Sequence, residues 1–325
     1  MKGPIDPGSW HYRQINERAP TLRVLADTLN ELAAEGYPVA ACTADLQYSN
    51  GLVEFARANP ERFLQFGISE QNMVSAAAGL ATTGIMPFVA TFASFLSLLC
   101  CEQIRTDIAY SALPVRLVGH HTGIAMGFYG TSHHATEDLA IMRSIADLTV
   151  VAPADGVQFA AAIRASMAHP QPIYFRIGRG HDPQVYDTME EFRFGKAVTH
   201  FQGKDLTIIA TGSTVHPALT ATKSLRSQGL EIGFIDMHTV KPLDRDAVVS
   251  AMRSRMILTV EEHNILGGLG GAVAEVMSEF GGQARLLRHG IKDEYSLIAP
   301  PSHLYAHYRL DAPGIETVAR EMLSS

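Results

Sequence analysis

Five short apolar runs in the first half of the chain, none broken by polar alternation, constrain the fold more than any other feature. They are "PVAACT" (38–43), "MPFVATF" (86–92), "PVRLVG" (114–119), "LTVVAP" (148–153) and "PIYFRI" (172–177). A strand with one wet face alternates apolar and polar residues, whereas a strand covered on both faces reads as a continuous apolar run. Segments of helical period lie between them, near 21–34, 70–83, 94–111, 136–145 and 155–168. This alternation predicts a parallel sheet with helices on both faces. The pattern then breaks. The stretch "GRGHDPQVYDTMEEFRFG" (178–195) has no consistent period and is rich in turn formers and acids, as an interdomain linker is. A second alternation follows, with strands at 205–211, 230–237, 255–262 and 284–289 and helices at 214–228, 244–253 and 269–279. The expectation is an α/β chain of two doubly wound domains, residues 19–180 and 195–325, joined by a linker over 181–194. A polar, Pro/Gly-punctuated arm over 1–18 precedes them.

Size and charge narrow the function classes. The 325 residues are 46% hydrophobic and 18% charged, enough for two well-filled cores. A net charge of −7 with no basic run argues against nucleic acid or an anionic membrane as partner. The most apolar run, "FLSLLCC" (95–101), is too short to span a bilayer. Three cysteines, with Cys100 and Cys101 adjacent, make no disulfide framework, and no signal peptide is recognisable. A cytoplasmic protein is the expectation.

Four stretches carry groups suited to chemistry. In "RFLQFGISEQNMVSAAAGLATTGIMPFVATFASF" (62–95), Glu70 is an acid among apolar and small residues at a helix start. It is either an acid favoured by the helix N-terminus or a carboxyl kept poorly solvated for a purpose. Phe92 and Phe95 lie three apart after a buried strand and can face one pocket, as core or as platform. In "GHHTGIAMGFYGTSHHATED" (119–138), His120, His121, His133 and His134 flank a Gly-rich loop placed where α/β sheets collect their sites, at a strand's carboxyl end. No Cys or carboxylate stands there at a usual ligand spacing, so hydrogen bonding and proton transfer suit these histidines better than a metal. "GGLGG" (267–271) suits tight helix packing more than a phosphate cradle, because it lacks the rest of a P-loop. In "FRIGRG", Arg176 and Arg179 follow a strand, where at least one can meet an anion; the alternatives are a solvated pair or an interdomain salt bridge.

Taken together, "QFGISEQNMVSAAAGLA", "TFASF", the His-flanked loop, "VVAPADG", "PIYFRIGRG" and "TVEEHNILGGLGGAVAE" closely resemble, in order, the C-terminal half of transketolase. That half comprises a pyrimidine-binding domain and the transketolase C-terminal domain. Nothing in the chain resembles the "GDG" and downstream Asn of the other half. The resemblance therefore implies one subunit of a split, two-component transketolase. A separate diphosphate-binding subunit would hold the Mg²⁺ (or Ca²⁺) and the diphosphate of thiamine diphosphate, in an α₂β₂ heterotetramer with self-pairing of this chain. The 94–111 helix is a candidate for the self-pairing surface.

By the same resemblance, Glu70 is the acid that hydrogen-bonds the cofactor's pyrimidine ring nitrogen and favours the tautomer whose exocyclic nitrogen removes the thiazolium proton. Phe92 and Phe95 match the aromatics that pack on the pyrimidine, and Asp45 matches an acid that organises the cofactor pocket. Arg23, Ser49, His121 and Arg179 match residues that bind the sugar phosphate. His133 matches the histidine at the oxygens around the cleaved bond. One position departs: "GFYGTSH" carries Tyr129 where sugar transketolases have an Asp that reads a donor hydroxyl, and Ser69 replaces an Arg of many relatives. The expected reaction is transfer of a two-carbon ketol unit from a phosphorylated ketose to an aldehyde or other acceptor. The alternatives are a β-type subunit of a 2-oxo-acid dehydrogenase, an enzyme like deoxyxylulose-phosphate synthase acting on pyruvate, and a non-catalytic scaffold.

Overall fold

The computed structural model describes residues 20–180 and 182–325. The expected arm over 1–18 lies outside them. The first sheet is built from β1 (Val39–Thr43), β2 (Phe63–Gln65), β3 (Met86–Phe92), β4 (Arg116–His120), β5 (Thr149–Val151) and β6 (Ile173–Arg176), all mutually parallel. The second contains β7 (Val198–Phe201), β8 (Leu206–Ala210), β9 (Ile232–Asp236), β11 (Met256–Asn264) and β12 (Arg285–Ile291), in the order β12-β11-β8-β9-β7. Between β6 and β7 the described residues form neither strand nor helix.

The strands β1, β3, β4, β5 and β6 are covered on both faces, which is why each reads as an unbroken apolar run. On one face, Cys42, Val89, Leu117 and Val150 pack under α3 (Glu70–Ala81) and α4 (Asp138–Ser144). The alternate residues Ala41, Phe88, Val118 and Val151 face α1 (Pro20–Ala34), α2 (Val53–Ala58) and α5 (Gly156–Ser166). The second sheet repeats this plan. Ile208, Phe234 and Leu258 meet α6 (Val215–Ser227) and α10 (Ala312–Leu323). On its other face, Ile209, Ile235 and Ile257 meet α7 (Arg245–Ala251) and α8 (Leu269–Phe280).

The expected architecture of two α/β domains stands, and the differences are local. Both sheets carry an antiparallel edge. β7 runs against β9, and β10 (Thr239–Lys241), which belongs to the second half of the chain, crosses over to pair with β5 of the first sheet. Three residues, "TVK", are too few to show a period, so the sequence pattern gives no sign of this exchange. The short β2 and α2, with α9 (Pro301–His307) and α10, are further elements that the pattern does not announce. The expected 94–111 helix is helical, but much of it is π-wound, at Phe95–Leu99 and Ile104–Ala109, with an α-turn at Cys101–Gln103. Single π turns inside helices recur at functional sites. Among the described residues no helix is long and apolar enough to cross a membrane.

Arg116, at the start of β4, is wholly buried and meets carbonyl groups rather than an acid. Its guanidinium donates to Gln171 O (2.9 Å), His169 O (2.6 Å) and Ser166 O, the last at the C-terminus of α5. The negative end of the helix dipole is its counter-charge. Burial nevertheless pushes its pKa down to about 9. Truncation in Arg116→Ala would leave a cavity and three orphaned carbonyls. It is expected to destabilise the chain by about 3 kcal/mol or more, read as a shift in the denaturant midpoint.

Candidate active site

The first sheet runs β2-β1-β3-β4-β6-β5 across its parallel strands, so the strand order reverses between β1 and β3. Crevices at such a switch point, outside the carboxyl ends of the strands, are where open α/β sheets bind ligands. The candidate residues gather at that edge. Asp45 follows β1, Phe92 ends β3, and His121 follows β4. Asp45 (φ +59°) and His121 (φ +58°) both hold left-handed backbone, costly for a residue with a Cβ. The two chain reversals are thus held by the surrounding fold rather than by local preference.

Glu70 is the first residue of α3 and is 9% exposed. Ser69, the residue before it, makes no side-chain cap. The carboxylate lies close enough to Cys100 to add to the burial that pushes that thiol up to about 12. A ring cluster stands at the end of β3. Phe92 and Phe95 have centroids 5.5 Å apart, and Phe92 lies 4.7 Å from His121 and 5.8 Å from His133. Phe95 is 5.3 Å and Tyr129 4.9 Å from His133. The three-residue spacing of Phe92 and Phe95 therefore does bring both rings to one place. Burial lowers the His133 pKa below the ordinary imidazole value, and Ser132 Oγ sits 2.9 Å from its Nδ1.

The four histidines divide in two. His121 and His133 join the ring cluster. His134 bonds Ser296 Oγ and Gly127 O inside the fold, and His120 is wholly buried, with burial pushing its pKa down to about 3. Among the described residues no group of three or more His, Cys, Asp or Glu is arranged to hold a metal ion. The candidate phosphate-binding residues fall into two neighbouring pairs. Gly51 approaches Leu22 so closely that a Cβ would lie 2.2 Å from the Leu22 carbonyl oxygen, which sets the loop carrying Ser49 against the turn carrying Arg23. Arg23 itself is 3.8 Å from Asp27 on its own helix. His121 N–H donates to Gly178 O (3.3 Å), which places His121 beside Arg179, and Arg179 Nη1 reaches Ala125 O at 3.5 Å.

Arg176 has a different task from Arg179. Its buried guanidinium pairs with the buried Asp138 carboxylate (2.9 and 3.1 Å), which also accepts from Tyr174 Oη at 2.8 Å. It donates further to Ala135 O (3.3 Å) and Glu262 O (2.9 Å), the latter in the second domain. The salt bridge of Arg176 is thus made within the first domain, and its interdomain contact is a hydrogen bond to a carbonyl. The Gly cluster is also accounted for by packing. The Glu261 carboxylate accepts from Leu269 N–H (2.7 Å) and Gly270 N–H (2.8 Å) at the start of α8, so the chain's own acid fills the place of an anion.

The loop between β4 and α4 closes on itself through Gly123 and Ala135, which exchange N–H···O bonds of 3.0 and 2.9 Å. Gly123 has φ +56°, and a Cβ there would lie 2.3 Å from the Glu262 carboxyl carbon. Asp138 and Glu262 are buried acids bonded around this loop that the sequence reasoning does not single out. Two adjacent acids inside the apolar strand "ILTVEEHN" are the available signal for Glu262, since a buried acid needs partners.

The fold defines a protein of paired α/β domains whose candidate residues gather at the switch point of the first sheet. Comparison with known families is more specific. Residues 18–183 match the transketolase pyrimidine binding domain and residues 195–315 the transketolase C-terminal domain, and the chain belongs to the transketolase family. It is 38% identical over 299 residues to a subunit of the apulose-4-phosphate transketolase of Phocaeicola vulgatus, covering 91% of this chain and 95% of that one. It is 36% identical over 297 residues to a 6-deoxy-6-sulfo-D-fructose transketolase subunit of a Clostridium species, covering 91% and 92%. A solved structure described as a split gene transketolase, inactive beta4 tetramer, superimposes with a TM-score of 0.84 at 36% identity, covering 94% of this chain and 98% of that one.

Removing Asp138 strands a buried guanidinium. Asp138→Ala is expected to cost about 3–5 kcal/mol in denaturant unfolding, and the double replacement Asp138→Leu/Arg176→Met to cost less than the single one. A loss under about 1 kcal/mol for Asp138→Ala would show that the pair is not desolvated.

Proposed function

We propose that this chain is the pyrimidine-side subunit of a two-component, thiamine-diphosphate-dependent transketolase. It moves a two-carbon ketol unit from a phosphorylated ketose to an aldehyde or other acceptor. The observation that carries this reading is the clustering of the Phe92, Phe95, His121 and His133 rings at the switch point, in the same domain as the buried Glu70 carboxyl at the start of α3. The residues fit the cofactor's pyrimidine half: an apolar aromatic surface for the ring, and one poorly solvated acid for its nitrogen. When bound, thiamine diphosphate supplies the carbon nucleophile and the electron sink.

This chain's residues do the rest. Glu70 holds a proton against the pyrimidine ring nitrogen. Phe92 and Phe95 fix the ring and keep water away, and Asp45, in its left-handed turn, orders the pocket rim. His133, neutral at pH 7 because burial lowers its pKa, hydrogen-bonds the hydroxyl and carbonyl oxygens around the cleaved bond. Arg179 and His121 take the substrate phosphate from one side, Arg23 and Ser49 from the other. Tyr129, exposed and stacked near His133, occupies the position that reads the donor's hydroxyl configuration, and so directs the enzyme away from common pentose phosphates.

The diphosphate and its Mg²⁺ (or Ca²⁺) belong to a separate partner, and the working enzyme is an α₂β₂ tetramer. Two findings support this: the match along nearly the whole length of proteins described as transketolase subunits, and the match to a solved β₄ assembly described as inactive. Leu98 and Leu99 on the π-wound segment, with Ile68 before α3, form exposed apolar surface available for self-pairing.

With the partner present, Glu70→Ala is expected to lower kcat at least about 100-fold while circular dichroism and assembly stay unchanged. Near-normal turnover would sink the assignment. Ketol transfer from a ketose phosphate without CO₂ release supports the transketolase reading, and CO₂ release from pyruvate would replace it with the 2-oxo-acid reading. Tyr129→Asp is expected to shift the ratio of kcat/KM values among ketose donors by about tenfold or more, checked by competition between two donors.

A further inference from the structure

The geometry points to Glu262, in the second domain, as a positioning residue for the loop that carries Tyr129 and His133, a role that rests on the transketolase reading of that loop. Glu262 lies near the carboxyl end of β11 and is 1% exposed. One carboxylate oxygen, Oε1, accepts from Ile124 N–H at 2.8 Å and from Tyr305 Oη at 2.7 Å; the other accepts from Ser213 Oγ. Ile124 belongs to the first domain, while Ser213 and Tyr305 belong to the second. The carboxylate therefore bonds the foot of the substrate loop to the second domain at the one place where the loop closes, beside the Gly123–Ala135 bridge. Gly123 lies against the carboxyl group itself, with no room for a side chain.

An ionised carboxylate accepts and never donates, so all three donors are fixed in direction. The loop above it, residues 123–135, includes an exposed tip at Phe128 and Tyr129, and His133 stands two residues before the closing Ala135. His133 must meet reacting oxygens to within a fraction of an ångström, and a loop foot that shifts by about 1 Å costs up to about 100-fold in rate. The nearby Arg176 guanidinium holds the same junction from the carbonyl side, at Glu262 O and Ala135 O, without touching Ile124. Glu262 thus gives the second domain a part in the reaction although none of its side chains is placed at the reacting bond.

Three variants in the reconstituted complex test this, with wild type assayed beside them. Glu262→Gln keeps an acceptor for Ile124 and Tyr305, and Ser213 Oγ can turn to accept from the new amide, so kcat/KM is expected within about threefold of wild type. Glu262→Asp keeps the charge but withdraws it by one methylene from Ile124 N–H. It is expected to lower kcat about 10–100-fold with a smaller change in donor KM, and to speed amide hydrogen exchange across 123–135 relative to the sheet core. Tyr305→Phe removes a bond to the same carboxylate but leaves Ile124 bonded, and is expected to lower thermal stability with kinetics within about threefold. Glu262→Asp with wild-type kcat, or with unchanged exchange in the loop, overturns the proposal. So does a loss in Tyr305→Phe equal to that in Glu262→Asp, which would mark a purely structural junction. The exchange measurement needs no substrate, so a wild-type complex without ketol transfer defeats the transketolase reading alone.

Discussion

The buried Arg176–Asp138 pair is the contact on which the rest of the arrangement depends. A guanidinium at the end of β6 is expensive to desolvate, and it is tolerable because its Nε meets a buried carboxylate and its Nη2 two carbonyls. Those acceptors are not local to β6. They are the first residue of α4, the carbonyl that closes the substrate loop, and a carbonyl on β11 of the second sheet. Moving any one of the three elements would leave a buried charge partly unsatisfied. The pair therefore ties the strand end, the loop and the neighbouring domain to one another more strictly than apolar packing would, since apolar surfaces slide at low cost and directed hydrogen bonds do not.

A second constraint acts at the same edge. Asp45 and His121 leave their strands through left-handed turns, and the segment after β3 winds as a π-helix from Phe95 onward. Left-handed backbone is uncommon for any residue with a Cβ, although Asp and His enter it more often than most, and π winding is rare. Both re-aim side chains at the carboxyl ends of β1, β3 and β4, where regular winding would carry them along the helix flank. Strain of this kind persists where the surrounding structure over-determines it. Here β1, β3 and β4 are hydrogen-bonded in continuous parallel register on each side of the strained residues.

How far all this is legible in the sequence follows from the range of each interaction. The long strands β3 and β4 and the helices α1, α3 and α8 are readable because burial on both faces or one face leaves a local period. The acid at Glu70 and the Phe92/Phe95 spacing are visible for the same reason: each is odd within its own short stretch. Glu262, Asp138 and the β10 exchange are not, because each draws its meaning from partners far away along the chain. Asp138 looks like an ordinary acid at a helix start until Tyr174 and Arg176 are seen to face it. The histidine-rich loop shows both limits at once. Its position after a strand is readable, but which two of four imidazoles reach the ring cluster depends on a bridge between Gly123 and Ala135 that no pattern announces.

These constraints bear on why a domain with no side chain at the proposed reacting bond is joined to one that has them. The first sheet ends at β5, a three-residue strand whose outer edge would otherwise be open. β10, sent across from the second half, covers that edge, and Lys241 on it reaches the carbonyl of Ile145. At the same junction, Glu262 and Arg176 hold the foot of the histidine-rich loop. The two domains are thus joined both at a sheet edge and at the loop foot, and a relative rotation would have to break backbone ladder bonds as well as buried polar ones. Junctions made of apolar surface alone leave hinge motion as the default. This one is built to suppress it.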